Sequence, residues 1–426
     1  MNYEESLKYL DSLGKFGIRL GMERIQALLE ELGNPEQKIK TIHVTGTNGK
    51  GSVASMIANI LLASGLNVGK FTSPHFVRYN ERIEINGKEI DDSTFAMAHT
   101  AVAVAVDAVM KKGIAQPTQF EVLTAAGFLV FALEHVDYAV IEVGLGGLWD
   151  STNVIKPEVA VITNVSLDHM DRCGNTVEEI AMQKAGIIKE KVPVVTAATD
   201  KALGPITAMS MFKQAPLYIF GREFTGQEVT STMEGQTFTL SAGEYHSNYS
   251  IVLPGAHQIA NTAVAIVAAK IVSKNDAHIT EQALHEGVTN TIWPGRLERI
   301  EKAPDVILDG AHNPAGAKAL RAALDKYYAG QPVHFVFGMM GDKAMNEVAV
   351  ALFRQGDKVN TVLADKGPRA ASAQQLAEIV GDKAIAYESI EEAYKEAREA
   401  AGKRGIVCIC GSLYLLGTFK AMAQKG

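Results

Sequence analysis

Residues 40–52 read KTIHVTGTNGKGS, a β-branched run followed by a glycine-rich turn and then by a helical pattern. The run Lys40–Thr45 predicts a buried strand, and Ser52–Ser64 predicts a helix. Between a strand and a helix, glycines let the backbone wrap a phosphate while the helix N-terminus adds positive potential. The sequence therefore predicts a phosphate-binding loop, with these candidate nucleotide contacts: Thr47, Asn48, Gly49, Lys50, Gly51 and Ser52. Lys50 supplies the positive charge.

This loop departs from the usual nucleotide-binding pattern. The position of the first glycine is Val44, and the residue after Lys50 is Gly51, so the hydroxyl that normally binds magnesium is displaced to Ser52. An ordinary glycine-rich turn is the alternative, which the Gly-Lys pair directly before a helix disfavours. A nucleotide loop of this kind needs a magnesium ligand from elsewhere in the chain.

Short β-branched runs alternate with helical patterns along most of the chain, which predicts parallel strands joined by crossover helices. Further strands are predicted at 67–71, 137–143, 159–163 and 192–196, and helices at 93–112, 118–135, 177–188, 257–272 and 280–290. Residues 223–253 alternate polar and apolar side chains with glycines at the turns, which is typical of antiparallel hairpins. We expect a mostly parallel, P-loop ATPase-like sheet domain with a small antiparallel insert.

A second unit begins after the turn signal Trp293-Pro294-Gly295. Residues 1–296 hold 24 Lys and Arg against 32 Asp and Glu, whereas residues 297–426 hold 17 against 16. The α/β rhythm then restarts, with strands predicted at 305–308, 333–337, 358–363 and 406–409 and helices at 314–328, 343–353, 373–380, 390–401 and 412–423. The sequence thus predicts two α/β domains, 1–295 and 296–426, the second of them Rossmann-like.

Composition excludes several classes of protein. A net charge of −7 disfavours a general nucleic-acid binder, and 47% apolar content disfavours disorder. The three cysteines form neither a disulfide framework nor a zinc-ligand spacing, and Cys408 and Cys410 are expected in the core. The N-terminus has no signal-peptide pattern, and the longest apolar run, Val122–Leu133, is too short to span a bilayer. We expect a cytoplasmic protein that binds neither nucleic acid nor membrane.

Beyond the loop, ten further motifs occur in order along the chain. They are TSPH at 72–75, NERI at 80–83, QFEVLTAAGF at 119–128, EVGLGG at 142–147, DSTN at 150–153, LDH at 167–169, KAGI at 184–187, PGRLE at 294–298, DGAHNP at 309–314 and GSLY at 411–414. Together with TGTNGKGS they resemble the folylpolyglutamate synthase and dihydrofolate synthase family of the Mur ligase superfamily.

The resemblance implies an ATP-dependent amide ligation. A folate carboxylate would attack the γ-phosphate of ATP, and the α-amine of L-glutamate would capture the resulting acyl phosphate. Such a reaction needs charge neutralisation, in-line positioning and exclusion of water more than a protein nucleophile. ATP and Mg²⁺ are the implied cofactors and tetrahydrofolate the implied acceptor. The sequence leaves open whether dihydropteroate is also a substrate and whether a monovalent cation assists. We expect a monomer.

Three residues are candidate magnesium ligands. Glu142 ends a predicted buried strand, where a carboxylate either faces the ligand crevice of an open α/β sheet or is an ordinary surface group. The resemblance implies that it binds magnesium. The resemblance adds His169 and the Ser73 hydroxyl. Imidazole is an unusual magnesium ligand, so the His169 assignment depends on the resemblance.

Lys184 has two interpretations. From the residues alone it is a solvated lysine on an amphipathic helix. The resemblance implies that it is catalytic and carbamylated by CO₂, which requires burial to lower its pKa and leave neutral amine.

The second domain contributes Asp309 and His312, from the strand-to-helix turn ILDGAHNP. Taken alone, this turn could be structural, with Asn313 capping the following helix. The resemblance implies that Asp309 and His312 contact ATP and take part in catalysis, that Arg296 contacts the phosphates and that Asn261 contacts the base.

For the folate, the implied wall is the loop 73–83 with Asp150 and Tyr414. His75, Tyr79 and Arg82 are candidate contacts on that loop. The family commonly has Arg-Leu before this aspartate, whereas this chain has Leu148-Trp149. The indole can either stack on a pterin or fill the core.

Two other functions compete. A Mur-type cell-wall ligase shares the mechanism, but the LDH and TSPH motifs and the lack of an obvious UDP-binding domain argue against it. A P-loop ATPase without ligase activity would carry a strand ending in aspartate, which Glu142 only imitates, and would give the insert at 223–253 no role.

Overall fold

The computed structural model describes residues 1–14 and 21–423. The helices fall into two groups along the chain. In the N-terminal part they are α1 Tyr3–Leu13, α2 Glu23–Glu31, α3 Lys50–Ala63, α4 Asp92–Lys111, α5 Gln119–Leu133, α6 Met170–Cys173, α7 Val177–Ala185, α8 Leu203–Phe212, α9 Ala256–Val272 and α10 Glu281–Thr289. In the C-terminal part they are α11 Pro314–Tyr327, α12 Met345–Leu352, α13 Ala373–Val380, α14 Ile390–Ala401 and α15 Leu413–Ala423.

The N-terminal strands form one large sheet. They are β1 Lys40–Thr45, β2 Val68–Phe71, β3 Ile83–Ile85, β4 Lys88–Glu89, β5 Tyr138–Glu142, β6 Val159–Ile162, β7 Val194–Thr196 and β8 Leu217–Ile219. Their order is β4-β3-β2-β5-β1-β6-β7-β8, parallel from β2 to β8 and antiparallel at β3 and β4. Val44 of β1 pairs with Glu142 of β5, so the carboxylate lies beside the start of the phosphate loop.

Residues 223–253 form the predicted antiparallel insert, with strands β9 Thr225–Thr232, β10 Gly235–Ala242 and β11 Tyr245–Ile251 in the order β11-β10-β9. One face is buried in the core shared with α3 and α9, through Phe238, Leu240 and Tyr249. The other side of β9 meets the second domain, where Ser231 Oγ lies 2.7 Å from the Tyr327 hydroxyl. The alternation seen in the sequence is therefore one buried and one exposed face.

The C-terminal strands form a second sheet. They are β12 Glu298–Glu301, β13 Asp305–Asp309, β14 Val333–Phe337, β15 Lys358–Thr361, β16 Ala384–Ala386 and β17 Ile406–Cys410. The order is β12-β13-β17-β14-β15-β16, parallel except for β12. Both faces of this sheet are covered, and Cys408 and Cys410 are fully buried as expected. The α/β class with a parallel-rich first domain and a second α/β domain is confirmed; the boundary at 295/296 stays a prediction.

The sequence missed several short elements, namely α1, α2, α6, α8, β3, β4, β8, β12 and β16. Some predicted bounds were too long: the helix predicted at 177–188 ends at Ala185, and the strand predicted at 358–363 ends at Thr361. Edge strands of two to four residues carry too few side chains to show a period, which explains most of these misses.

Helix α4 is long and apolar enough, by length and composition, to cross a membrane. Its residues Phe95, Ala98 and Val102 are buried in the core formed with α1, α2 and α5. This packing is that of a core helix.

Candidate active site

A cavity of about 410 Å³ lies at the carboxyl end of the first sheet and is lined by residues of both domains. The residues predicted from the sequence that line it are Thr47, Asn48, Gly49, Lys50, Gly51, Ser73, Arg82, Glu142, Asp150, His169, Lys184, Arg296, His312 and Tyr414. Ligands bind at this edge in open α/β sheets.

The phosphate loop is fixed by the segment that follows β6. Asn164 accepts a hydrogen bond from the Asn48 backbone N–H (3.0 Å) and donates to the Asn48 carbonyl (2.8 Å), which also accepts from the Thr163 hydroxyl (2.6 Å). At Gly46, φ is +154° and a Cβ would lie 1.8 Å from Thr163 Oγ1, so only glycine fits. The loop is therefore preorganised by its neighbours rather than by its own residues.

Two lysine ammonium groups converge on this loop. Lys50 Nζ donates to the carbonyls of Gly46 (3.1 Å) and Thr47 (3.2 Å), and Lys184 Nζ donates to the Gly46 carbonyl (2.9 Å). These acceptors are neutral, so both charges remain available to an anion. Lys184 is only 5% exposed, and burial, reinforced by the Lys50 charge, lowers its pKa to about 7.

Gly51 explains why the loop lacks the usual hydroxyl. A Cβ at this position would lie 2.3 Å from Cζ2 of Trp293, so the indole occupies the space of any side chain. The Ser52 hydroxyl is buried and has no hydrogen-bond partner among the described residues. Ser52 does not line the cavity, so the hydroxyl displaced from position 51 does not face it.

The residues that could hold magnesium are Glu142, Ser73 and His169, which line the same cavity. Glu142 Oε2 accepts from the Ser73 backbone N–H (3.1 Å). Burial raises the pKa of this carboxyl, and the nearby Lys50 charge partly offsets that rise. Within residues 1–14 and 21–423, His, Cys, Asp and Glu form no cluster of three or more that could hold a metal. One carboxylate and one hydroxyl fit a Mg²⁺ ion that takes its other oxygens from phosphates and water.

Asp168 joins the two domains. It accepts from Lys343 Nζ (2.7 Å) and Asn313 Nδ2 (3.1 Å), and His312 Nε2 lies 3.6 Å away. Burial opposes ionisation, but hydrogen bonding to His312 and the nearby charge of Lys343 outweigh it and hold the pKa of this carboxyl well below its usual range. The second domain is thus tied to the edge of the first sheet by charge-assisted contacts.

His169 itself begins helix α6 with a left-handed backbone (φ 48°). Burial lowers the pKa of its imidazole to about 4, and the Lys343 ammonium 3.2 Å from Nε2 acts in the same direction. The ring is therefore neutral at pH 7, and its Nε2 lone pair accepts from Lys343, so binding a cation there requires that the ammonium move away.

Five predicted residues do not line the cavity: Ser52, Asn261, Asp309, His75 and Tyr79. The Asn261 amide donates to Gln258 Oε1 (2.9 Å) and lies directly beneath Gly49. Asp309 accepts from the backbone N–H groups of Leu297 (2.9 Å) and Ala311 (2.8 Å). In this structure both residues support the turns that carry the site.

His75 likewise acts through a neighbour. Its Nδ1 accepts from Arg82 Nε (2.9 Å), and its ring lies 4.4 Å from that of Tyr79. Burial lowers the pKa of this imidazole to about 4, with the Arg82 charge contributing in the same direction. The neutral ring orients the guanidinium of Arg82, which does line the cavity.

On the opposite wall, Asp150 is held by the Leu145 N–H (2.9 Å) and by the backbone and hydroxyl of Thr152. Trp149 beside it is 46% exposed and lines the cavity, so its indole does not fill the core. Phe120 and Tyr414 add further aromatic surface.

Four residues that line the cavity were not predicted from the sequence: Lys343, Arg369, Arg172 and Phe120. The signal for Lys343 was present in GMMGDK, a glycine-containing turn directly after β14, where a strand ends at a ligand-binding edge.

Comparison with known proteins agrees with this geometry. Residues 44–269 match the Mur ligase middle domain, and residues 295–413 match the Mur ligase glutamate ligase domain. The fold and the site thus define a Mur-type, ATP-dependent ligase that forms amide bonds.

Similar proteins of known name identify the family within the Mur-type ligases. The chain is 37% identical over 420 residues to the dihydrofolate synthase/folylpolyglutamate synthase of Bacillus subtilis and 38% identical over 423 residues to the folylpolyglutamate synthase of Lacticaseibacillus casei, covering 97% of this chain and of each relative. A Mycobacterium tuberculosis folylpolyglutamate synthase complexed with ADP superimposes with a TM-score of 0.91 at 31% identity, covering 99% of both chains. An E. coli FolC structure in complex with DHPP and ADP gives 0.89 at 29% identity, covering 100% of this chain and 98% of that one. The chain belongs to the folylpolyglutamate synthase and dihydrofolate synthase family.

Proposed function

We propose that this protein adds L-glutamate to the γ-carboxylate of tetrahydrofolate, with ATP as the energy source. The observation that carries the proposal is Lys50 on the phosphate loop, whose ammonium donates to the Gly46 and Thr47 carbonyls and forms no ion pair among residues 1–14 and 21–423. A lysine cation on a backbone loop at a helix N-terminus is suited to a polyanion such as ATP.

The residues support a two-step reaction. The folate γ-carboxylate attacks the γ-phosphorus of ATP, the bond to the β–γ bridging oxygen breaks, and ADP leaves. The neutral α-amine of glutamate then attacks the acyl phosphate, forming the amide and releasing phosphate and a proton. Lys50 and the loop N–H groups stabilise the charge that develops on the transferring phosphoryl group. Arg296, from the second domain, approaches the same cavity.

Glu142 and Ser73 would hold Mg²⁺ at the phosphates, with His169 as a further neutral ligand. When bound, the ion neutralises phosphate charge and orients the terminal phosphoryl group. A monovalent cation stays an open part of the proposal.

Carbamylation of Lys184 is part of the proposal. Its ammonium is buried, and a pKa of about 7 leaves a large neutral fraction at physiological pH, which reaction with CO₂ requires. The carbamate would convert a cation beside the loop into an anion able to orient the metal site.

Dihydropteroate is a second candidate acceptor, because the E. coli structure was obtained in complex with DHPP. Arg82, Asp150 and Tyr414 line the part of the cavity that we assign to the folate, and Trp149 offers a stacking surface there. His75 contributes by orienting Arg82. We further propose a cytoplasmic monomer whose first domain spans residues 1–295.

The test measures ADP release with tetrahydrofolate, dihydropteroate or a UDP-muramyl acceptor, each with and without glutamate. We expect glutamate-dependent release with tetrahydrofolate, and a longer glutamyl tail by mass spectrometry. Release with the UDP-muramyl acceptor alone would support the cell-wall ligase instead. ATP turnover that ignores glutamate and every folate would leave only the P-loop ATPase.

A further inference from the structure

Trp293 lies on the joining segment, residues 290–297, which connects α10 of the first domain to β12 of the second. Its indole meets the phosphate loop. A Cβ at Gly51 would lie 2.3 Å from Cζ2, 2.8 Å from Cε2 and 3.1 Å from Nε1 of the ring. The indole is partly buried and packs on the core that α3 and α9 share. The first turn of α3 therefore has no room for a side chain at position 51.

Lys70 of β2 holds the same indole. Its Nζ lies 4.9 Å from the centre of the ring, which is a cation–π distance. The ammonium is fixed in turn by Glu84 (2.9 Å) and by the Ser55 hydroxyl of α3 (3.1 Å), and Lys70 is buried. The indole thus has fixed partners on β2 as well as on the phosphate loop.

The neighbours of Trp293 on the joining segment are attached to two different structures. On one side, Thr291 is fully buried, and its hydroxyl accepts from the Asn59 amide of α3 (3.0 Å). On the other side, Arg296 donates to the Gly295 carbonyl (2.9 Å) and lines the cavity. Trp293 therefore lies between the helix that follows the phosphate loop and the turn that carries Arg296.

A phosphate loop commonly carries a small hydroxyl residue at the position of Gly51. Here the glycine admits an indole from the joining segment instead. Lys50 directly precedes Gly51, and Arg296 is three residues beyond Trp293. A single ring contact thus connects the two cations that face the cavity from the phosphate loop and from the joining segment.

We propose that Trp293 is a positioning residue for phosphoryl transfer. By filling the space beside Gly51, its indole fixes the joining segment against the phosphate loop and so sets where Arg296 stands relative to Lys50. The inference rests on the proposed ligase reaction, in which both cations face the transferring phosphoryl group. Trp293 itself does not line the cavity, so it acts through Arg296 rather than on a substrate.

The test is a double-mutant cycle between positions 51 and 293, measured by glutamate-dependent ADP release. Gly51→Ala places a methyl group against the indole and should lower kcat by at least about 10-fold, with KM for tetrahydrofolate and glutamate within about twofold of wild type. Trp293→Phe leaves a gap and should also lower kcat. The double variant combines the methyl group with the smaller ring, so its kcat should exceed that of Gly51→Ala by at least about fivefold.

Two control variants leave this contact intact. A Cβ at Gly204 of α8 would meet nothing within 4 Å, so Gly204→Ala adds the same methyl group without a collision. Ile292→Ala shortens the exposed neighbour of Trp293 on the joining segment. Both variants should keep the kcat of wild type.

Fluorescence tests the contact without turnover. The chain has two tryptophans, Trp149 and Trp293, so Trp149→Phe isolates the emission of Trp293. In that background, Gly51→Ala should shift the emission maximum, whereas Gly204→Ala should not.

A kcat of the double variant equal to the product of the two single losses overturns the inference, as does an unshifted emission of Trp293 in Gly51→Ala. If Gly51→Ala does not fold, Trp293→Phe decides alone, and a kcat within about twofold of wild type overturns the inference. If wild type releases no ADP in response to glutamate, the proposed function fails. The fluorescence result then still decides whether the indole meets Gly51.

Discussion

At the scale of single residues, the site depends on the contrast between paired and unpaired charge. Asp168 accepts from donors of both domains, whereas the partners of Lys50 and Lys184 within residues 1–14 and 21–423 are neutral carbonyl oxygens. A cation that is already preorganised and not neutralised contributes most to the transition state, because no partner has to be displaced.

Lys50→Ala should therefore reduce the rate of ADP release by at least about 10²-fold, since it removes a preorganised charge at the transferring phosphoryl group. Initial rates at saturating ATP, tetrahydrofolate and glutamate give the comparison. Lys88→Ala, on the exposed strand β4, serves as the control. Near-normal turnover of Lys50→Ala would mean that the phosphate loop is misassigned.

Lys184 leads to a prediction about pH. The uncarbamylated side chain has a pKa of about 7 in the folded state against 10.5 for an ordinary lysine, so the unfolded state binds more protons between these values. Stability must then rise as pH increases from about 7 toward 10. In CO₂-free buffer, urea unfolding should show this rise in wild type and a smaller one in Lys184→Met.

Adding ¹³C-bicarbonate should produce a carbamate resonance in wild type that is absent from Lys184→Met. The control Lys189→Met addresses the other lysine with a lowered pKa, about 8, whose Nζ donates to the Asn153 carbonyl. A carbamate signal that survives in Lys184→Met would contradict the assignment.

At the scale of elements, Asn313 serves two structures at once. Its Oδ1 caps α11 by accepting from the Gly316 N–H (2.8 Å), while its amide nitrogen donates to Asn48 Oδ1 (3.0 Å) of the phosphate loop and to Asp168. One side chain therefore begins a helix of the second domain and contacts the nucleotide loop of the first.

Substitutions should separate these roles. Asn313→Ala removes both and should destabilise the protein by about 1 kcal/mol through the lost cap, with a fall in kcat. Asn313→Ser keeps a capping oxygen but loses the amide that binds Asn48 and Asp168, so unfolding should change less than in Asn313→Ala while kcat still falls. Urea unfolding and glutamate-dependent ADP release measure the two effects. Equal stability losses in the two variants would show that the cap is not the cause.

The sequence alone predicts the elements that have a strong hydrophobic period and the motifs that lie on a single turn. Strand β1 has the predicted bounds, and Lys50 and Glu142 lie where a strand's end places them. Prediction from the sequence failed for residues whose position depends on how the two domains approach each other. Nothing in the pattern around Arg369 or Lys343 indicates that these turns reach the first sheet, because that contact is made only in the folded pair of domains.

Two residues of the predicted site also have structural roles that their motifs do not show. The predicted nucleotide contacts of Asn261 and Asp309 stay predictions; in addition, Asn261 supports Gly49 from below, and Asp309 holds the Leu297 and Ala311 backbone. A motif shows that a residue type is required, but burial and partners decide whether it contacts the ligand or shapes the turn.

At the scale of the whole molecule, the insert and the second domain form an attachment separate from the chain connection near Gly295. The Tyr327 hydroxyl accepts from the Gly255 N–H (2.9 Å) and lies 2.7 Å from Ser231 Oγ, and Lys326 pairs with Glu228 (2.6 Å). Arg299 and Glu234 add another ion pair on the same side.

Tyr327→Phe should weaken this attachment and destabilise the protein by about 1–3 kcal/mol, because the Gly255 N–H loses its partner. Differential scanning calorimetry should show a broader or divided transition, since the domains then unfold less cooperatively. Tyr328→Phe is the matched control: its hydroxyl donates to Asp305 within the second domain (2.6 Å). A single transition of unchanged width in Tyr327→Phe would contradict a coupling role.

Two separate attachments have a geometrical consequence. A body held at one point can turn in any direction, whereas a body held at two can only swing about the line that joins them. Once the contacts around Asp168 are broken, the chain crossing at Gly295 and the contact of Tyr327 with the insert define such a line, so we expect the second domain to have one principal rotation. Along that arc the turn bearing Lys343 would move away from the phosphate loop, so we expect the active site to open by a hinge rotation.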